Sequence, residues 1–131
     1  MVDPSTPIER RRACVLVADD DVDILELVTF ALRRAGHSVV TARDGAQALQ
    51  LVEEHRPDAV VLDIMMPGMT GYEVTKVLRD NPETADTPVI LLSARAGGAD
   101  MAHGFHLGAD DYVRKPFSPA ELGARLQTVL N

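Results

Sequence analysis

Residues 59–71 read AVVLDIMMPGMTG. Ala59, Val60, Val61 and Leu62 form a continuous apolar run that ends on one acid, Asp63, before a stretch turned by Pro67, Gly68 and Gly71. An unbroken apolar run of this length fits a strand buried on both faces, as in a parallel sheet. A carboxylate at its end is either the point where the strand meets water or part of a chemical site. The rest of the chain decides between the two.

Outward from this stretch, apolar runs and helical spacings alternate. ACVLVA (13–18), SVVTA (38–42), AVVL (59–62), PVILLS (88–93) and Asp111-Tyr112-Val113 read as strands. Ile24, Leu25, Leu27, Val28, Ala31 and Leu32 recur at helical spacing, closed by Ala35-Gly36. Asp44-Gly45 opens a second helix with Ala46, Leu49, Leu51 and Val52 expected to face inward, ended by Pro57. Residues 71–80 form a third helix, stopped by Asn81-Pro82, and residues 97–107 a weaker fourth, loosened at its start by Gly97-Gly98. Ser118-Pro119-Ala120-Glu121 supplies an N-cap, a proline at the first helical position and a glutamate at the third, opening a last helix over 119–130. Five strand–helix units imply an α/β fold: a doubly wound parallel sheet with helices on both faces and right-handed crossovers.

The 131 residues suit one domain, 13–131, preceded by a flexible tail over 1–12 that carries Arg10, Arg11 and Arg12. A formal net charge of −7 disfavours nucleic acid and anionic membrane surfaces as partners of this domain. The single cysteine, Cys14, excludes an internal disulfide and reads as a small core residue. No run approaches membrane length and nothing before residue 13 reads as a secretion signal, so a cytoplasmic location is expected.

In a doubly wound sheet, ligands sit at the carboxyl ends of the strands. Asp19, Asp20 and Asp21 follow the first strand, Asp63 the third, Ser93 and Ala94 the fourth, and Lys115 and Pro116 the fifth. Each has an ordinary explanation alone: helix caps for the Asp triplet, a strand end for Asp63, a turn for Ser93, a surface charge for Lys115. Carboxylates crowded at one edge repel each other unless a hard cation intervenes. Mg²⁺ takes oxygen ligands, keeps several waters and commonly bridges to phosphate. Metal, ammonium, hydroxyl and backbone amides are together the parts that place a phosphoryl group in line with a carboxylate nucleophile.

VLVADDD (15–21), VVLDIMMPGMTG (60–71), VILLSA (89–94) and GADDYVRKPFSPAEL (108–122) resemble the receiver domain of two-component response regulators, over residues 13–130. The resemblance implies a flavodoxin-like fold with strand order 2-1-3-4-5 and five helices. It implies that Asp63 accepts a phosphoryl group from a histidine kinase or phosphotransfer protein. It implies Mg²⁺, replaceable by Mn²⁺, held by Asp20 directly, Asp19 largely through water, Asp63, and the backbone carbonyl of Met65. Lys115, ahead of a cis Pro116, grips the phosphate, and the backbone of Ile64 and Ala94 contacts it. Ser93 and Tyr112 form a switch: the hydroxyl moves to the new oxygens and the ring rotates inward, altering the helix 4–strand 5–helix 5 surface that meets a downstream protein or output domain. The packing alternative for Tyr112 is an edge-strand aromatic resting on helix four.

Three rival readings fit the residues less well. A haloacid dehalogenase-type aspartate phosphatase wants a second acid two residues after the nucleophile, where this chain has Met65. A flavin-binding module wants a hydroxyl- and glycine-rich loop after strand one, where three aspartates stand. A receiver that signals without phosphorylation is opposed by the complete acid, hydroxyl and lysine set. His37, His55, His103 and His106 lie away from the strand ends and read as surface or partner-facing residues. Arg95 flanks the site or is simply solvated. Met101 stands where dimerising receivers often carry a basic residue, while Asp110, Asp111, Glu121 and Arg125 keep that face charged. A monomer or a weak phosphorylation-dependent dimer is expected. With the sequence ending at Asn131, the chain is expected to be either a stand-alone receiver or part of a longer regulator.

Overall fold

The computed structural model describes residues 12–94 and 98–131. The expected tail falls outside them except for Arg12, as do Arg95 and Gly97. Strands β1 (Cys14–Ala18), β2 (Ser38–Ala42), β3 (Ala59–Asp63), β4 (Val89–Ser93) and β5 (Asp111–Arg114) alternate with helices α1 (Val22–Arg34), α2 (Gly45–His55), α3 (Gly71–Asp80), α4 (Gly98–His106) and α5 (Pro119–Leu130). The strands form one parallel sheet in the order β2-β1-β3-β4-β5. The expected fold class and strand order are therefore present.

Side chains alternate across the strands and build two cores. Val15, Val17, Val61 and Leu92 pack under α1 and α5, against Leu25, Val28, Leu122 and Leu126. Leu16, Leu62 and Leu91 point the other way, against Val52, Val74 and Leu78. Every residue of β3 and β4 is buried, as their unbroken apolar runs require.

The helix starts follow the capping chemistry. Asp21 caps α1, its carboxylate accepting from the N–H groups of Asp23 (2.9 Å) and Ile24 (3.4 Å). Thr70 and Glu73 form a reciprocal capping box on α3. Ser118 accepts from the Glu121 N–H at 3.0 Å, with Pro119 in the first turn of α5.

The inward face of α2 differs from the expectation. Gly45, Ala48 and Val52 are buried, Leu49 and Leu51 are half-buried, and Ala46 is exposed. The cause is Gly45, which lies so close to the loop after β3 that a Cβ there would stand 2.7 Å from Met69 Cβ. That approach sets the rotation of the helix and turns Ala46 outward. Cys14 is half-buried rather than in the core.

Candidate functional site

Strand order reverses between β1 and β3, and the residues after their carboxyl ends meet in the crevice there. Parallel register pairs Ala18 with Leu62, so Asp19 and Asp63 end neighbouring strands at the same height. Ligand oxygens of Asp19, Asp20 and Asp63 all lie within 4.8 Å of one another. β4 brings up Ser93, buried at 2% exposure, and the Lys115 N–H donates to the Ser93 carbonyl at 2.8 Å. That bond holds Lys115 at the same edge, just before a cis peptide to Pro116.

The three N-terminal acids divide by hydrogen bonding. Asp19 is fully buried; one oxygen accepts from the Asp21 N–H (3.0 Å) and the other from Lys115 Nζ (2.9 Å). Asp21 is the α1 cap and turns away from the cluster's chemistry. Asp20 is exposed, and its carboxylate accepts no hydrogen bond among the described residues. It is thus the acid with both oxygens open to a cation.

Lys115 Nζ lies 3.1 Å from Asp63 Oδ1 as well as 2.9 Å from Asp19 Oδ2. Burial pushes the Asp63 carboxyl up, and the Asp19 charge adds to it. The hydrogen bond and charge of Lys115 pull it down, Asp20 pushes slightly up, and the result is about 6. Burial works against the Lys115 ammonium, but its hydrogen bonds to Asp19 and Asp63 and their charges outweigh that, leaving its pKa raised. One ammonium between three carboxylates leaves an excess of negative charge carried on hard oxygen donors. This donor set fits a divalent ion such as Mg²⁺.

One expected contact is corrected. The Ile64 N–H donates to the Leu92 carbonyl at 3.0 Å, extending the β3–β4 ladder, so it is not available to an anionic oxygen. The next amide, Met65, makes no hydrogen bond among the described residues, and its side chain is 60% exposed. Tyr112 lies inward in this structure, 3% exposed in the second core. It packs beneath α4 at Gly104, where a Cβ would lie 3.3 Å from Tyr112 Cδ2 and 3.0 Å from Leu91 Cδ1.

Two features escaped sequence reasoning. Gly71 starts α3 against the back of the acid: a Cβ there would stand 2.6 Å from the Asp63 carbonyl oxygen. Beside Lys115, an apolar hollow of about 310 Å³ is lined by Ile24, Leu27, Ala94, Lys115, Pro116 and Phe117. The signal for the hollow was present in Ile24 and Leu27, apolar one turn beyond the acid triplet.

On the opposite edge, Asp110, Asp111, Glu121 and Arg125 are paired within the chain. Arg125 bonds Asp111 at 2.9 Å and lies 3.8 Å from Glu121, while Arg79 reaches Asp110 at 3.0 Å. His103 stacks edge-on against Tyr72 with ring centroids 4.6 Å apart. His37 is buried far from the site. No helix among the described residues is long and apolar enough to cross a membrane.

Comparison with known proteins agrees with this geometry. The family model of the response regulator receiver domain matches residues 15–127. The DNA-binding response regulator MtrA of Mycolicibacterium smegmatis is 43% identical over 123 residues, covering 94% of this chain and 53% of MtrA. The alkaline phosphatase synthesis transcriptional regulatory protein PhoP of Bacillus subtilis is 43% identical over 116 residues, covering 88% of this chain and 48% of PhoP. The chain thus spans about half the length of the curated relatives it matches. Among solved structures, the chemotaxis response regulator CheY4 of Vibrio cholerae superposes with a TM-score of 0.86 at 35% identity, covering 91% of this chain and 99% of that one.

Proposed function

This chain belongs to the response regulator receiver domain family, and on that footing we propose that Asp63 is its phosphoacceptor. The donor is a phosphohistidine on a sensor kinase or phosphotransfer protein. An Asp63 carboxylate oxygen attacks phosphorus, the P–N bond to the imidazole breaks, and the histidine leaves. The product is an acyl phosphate on Asp63. Water later attacks the same phosphorus and restores the carboxylate.

The observation that carries this reading is Lys115 set between Asp19 and Asp63, with Asp20 open beside them. In this role Lys115 exchanges its bond to Asp63 Oδ1 for a phosphoryl oxygen. Ser93 and the backbone amides of Met65 and Ala94 meet the other oxygens. Asp20, Asp63 and the Met65 carbonyl would hold Mg²⁺, with Asp19 supporting the site from behind because both its oxygens are already engaged. Bound Mg²⁺, or Mn²⁺ in its place, neutralises charge on the transferring group. The hollow beside Lys115 receives the donor's imidazole-bearing helix, since it is apolar and adjoins the lysine that bonds Asp63.

The new charge draws Ser93 toward the phosphoryl oxygens and changes the fit of Tyr112 beneath α4. The α4-β5-α5 face passes the signal to a downstream protein or output domain, without catalysing a reaction on another substrate. The chain works as a monomer or a weak phosphorylation-dependent dimer in the cytoplasm.

Incubation with acetyl phosphate and Mg²⁺, followed by intact mass spectrometry, tests this. A gain of one phosphoryl group in the parent and none in Asp63→Asn is expected. No gain in the parent, together with no binding of beryllium fluoride, overturns the reading.

A further inference from the structure

Helix α1 carries three of the exposed large apolar residues of the chain: Val22, Leu27 and Phe30, the last 66% exposed. Leu27 borders the hollow beside the phosphoacceptor. The opposite flank of α1, facing edge strand β2, forms a separate open groove of about 760 Å³. Val22, Leu25 and Phe30 give it an apolar wall, and Thr41 of β2 forms the far side.

The charge of this groove runs against the rest of the molecule. Arg33 and Arg34 stand at one end and Arg43 at the other, with Glu26 the one acid among the lining residues. The chain as a whole carries −7. None of the three arginines makes an ion pair among the described residues, whereas Arg56, Arg79 and Arg125 all do. Arg33 and Arg34 also complement the α1 dipole, which accounts for two basic residues there. It does not account for Arg43 or for the exposed ring between them.

We infer that the α1–β2 groove docks an acidic amphipathic helix of a partner protein. The length of the groove selects this occupant. From Val22 to Arg33 α1 rises by about 16 Å, roughly three turns, and Arg43 lies at the Val22 end because β1 and β2 run parallel. One small anion cannot reach both ends. A helix with an apolar stripe lays that stripe on Val22, Leu25 and Phe30 and places carboxylates at both ends. This site is independent of phosphoryl transfer, since no groove residue belongs to the acid cluster.

The probe is a synthetic helical peptide with leucines at i, i+3, i+4 and i+7 and glutamates on the flanks, titrated into isotopically labelled protein. Saturable amide shifts confined to residues around Thr29, Phe30, Arg33, Thr41 and Arg43 are expected. Binding should weaken by about tenfold or more in Phe30→Glu and in Arg33→Glu/Arg43→Glu, hold in Arg33→Lys, and weaken with added salt. Phosphoryl uptake from acetyl phosphate should be unchanged in all three variants, which reports their folding and separates this site from Asp63. The inference is overturned if no saturable shifts appear, if they map elsewhere, or if a glutamine version of the peptide binds equally well. It is also overturned if phosphatidylglycerol vesicles bind the groove and the peptide does not. Light scattering that shows a dimer abolished by the same variants would assign the groove to a second copy and overturn it too.

Discussion

Lys115 and Asp19 meet across 96 positions of sequence, with Nζ 2.9 Å from an oxygen of a carboxylate that has no exposure to solvent. The same ammonium holds Asp63 at 3.1 Å. Substituting Lys115→Met leaves two buried carboxylates without their cation. In the presence of a chelator this should cost about 1–3 kcal/mol at about pH 8, measured by urea denaturation. The loss should shrink toward about pH 5, where Asp63 takes up a proton.

Asp63 itself is held at a folded-state pKa of about 6, above the ordinary 3.8. A raised carboxyl pKa gives stability that is complete below the ordinary value and lost as pH rises through about 6. Asp63→Asn removes that loss. In chelator, its melting temperature should exceed the parent's by several degrees at about pH 8, and the difference should vanish near about pH 4. Equal melting temperatures at the higher pH would show that Lys115 fully compensates the buried charge.

Mg²⁺ should stabilise the parent by about 2.7 kcal/mol once it stands at about 100 times Kd, read from melting curves with and without EDTA. Asp20→Asn should lose most of that gain, because Asp20 is the acid with both oxygens open. Its metal-free stability should equal or exceed the parent's, since one repelling charge is gone.

Gly71 has no room for a side chain, with the Asp63 carbonyl oxygen 2.6 Å and Ile64 Cα 3.0 Å from a Cβ position. Gly71→Ala should destabilise by about 1–3 kcal/mol as α3 is pushed from the end of β3. Phosphoryl uptake from acetyl phosphate should slow as Asp63 shifts with it. Unchanged uptake would show that the strain is taken up by α3 alone.

His37 joins three elements at the opposite end of the sheet. Its Nδ1 accepts from the Ala13 N–H at 3.0 Å, and its Nε2 lies 3.3 Å from Gln127 of α5. Burial lowers its pKa. A lowered histidine pKa gives stability that is complete above the ordinary value of 6.5 and lost as pH falls below it. The parent should therefore lose more stability than His37→Gln between about pH 7.5 and about pH 5.5, by denaturant titration.

Local chemistry made much of this protein legible in its sequence. Apolar runs named most of the strands, and Asp44 and Ser118 marked helix starts through bonds that span three residues. Acids, hydroxyl and lysine at successive strand ends named the candidate site, because a parallel sheet gathers all its carboxyl ends at one edge. What only the tertiary structure decided is how hydrogen bonds are shared among groups distant in sequence. Register between β3 and β4 gave the Ile64 N–H to Leu92 and left the Met65 amide without a partner among the described residues. The reach of Lys115 engaged Asp19 and left Asp20 open. The close approach of Gly45 to Met69 turned α2, and Gly104 admitted Tyr112 beneath α4. Each is a matter of which two groups, far apart along the chain, reach a common point first. Periodicity and capping carry no information on that, since both are written within a few neighbouring residues.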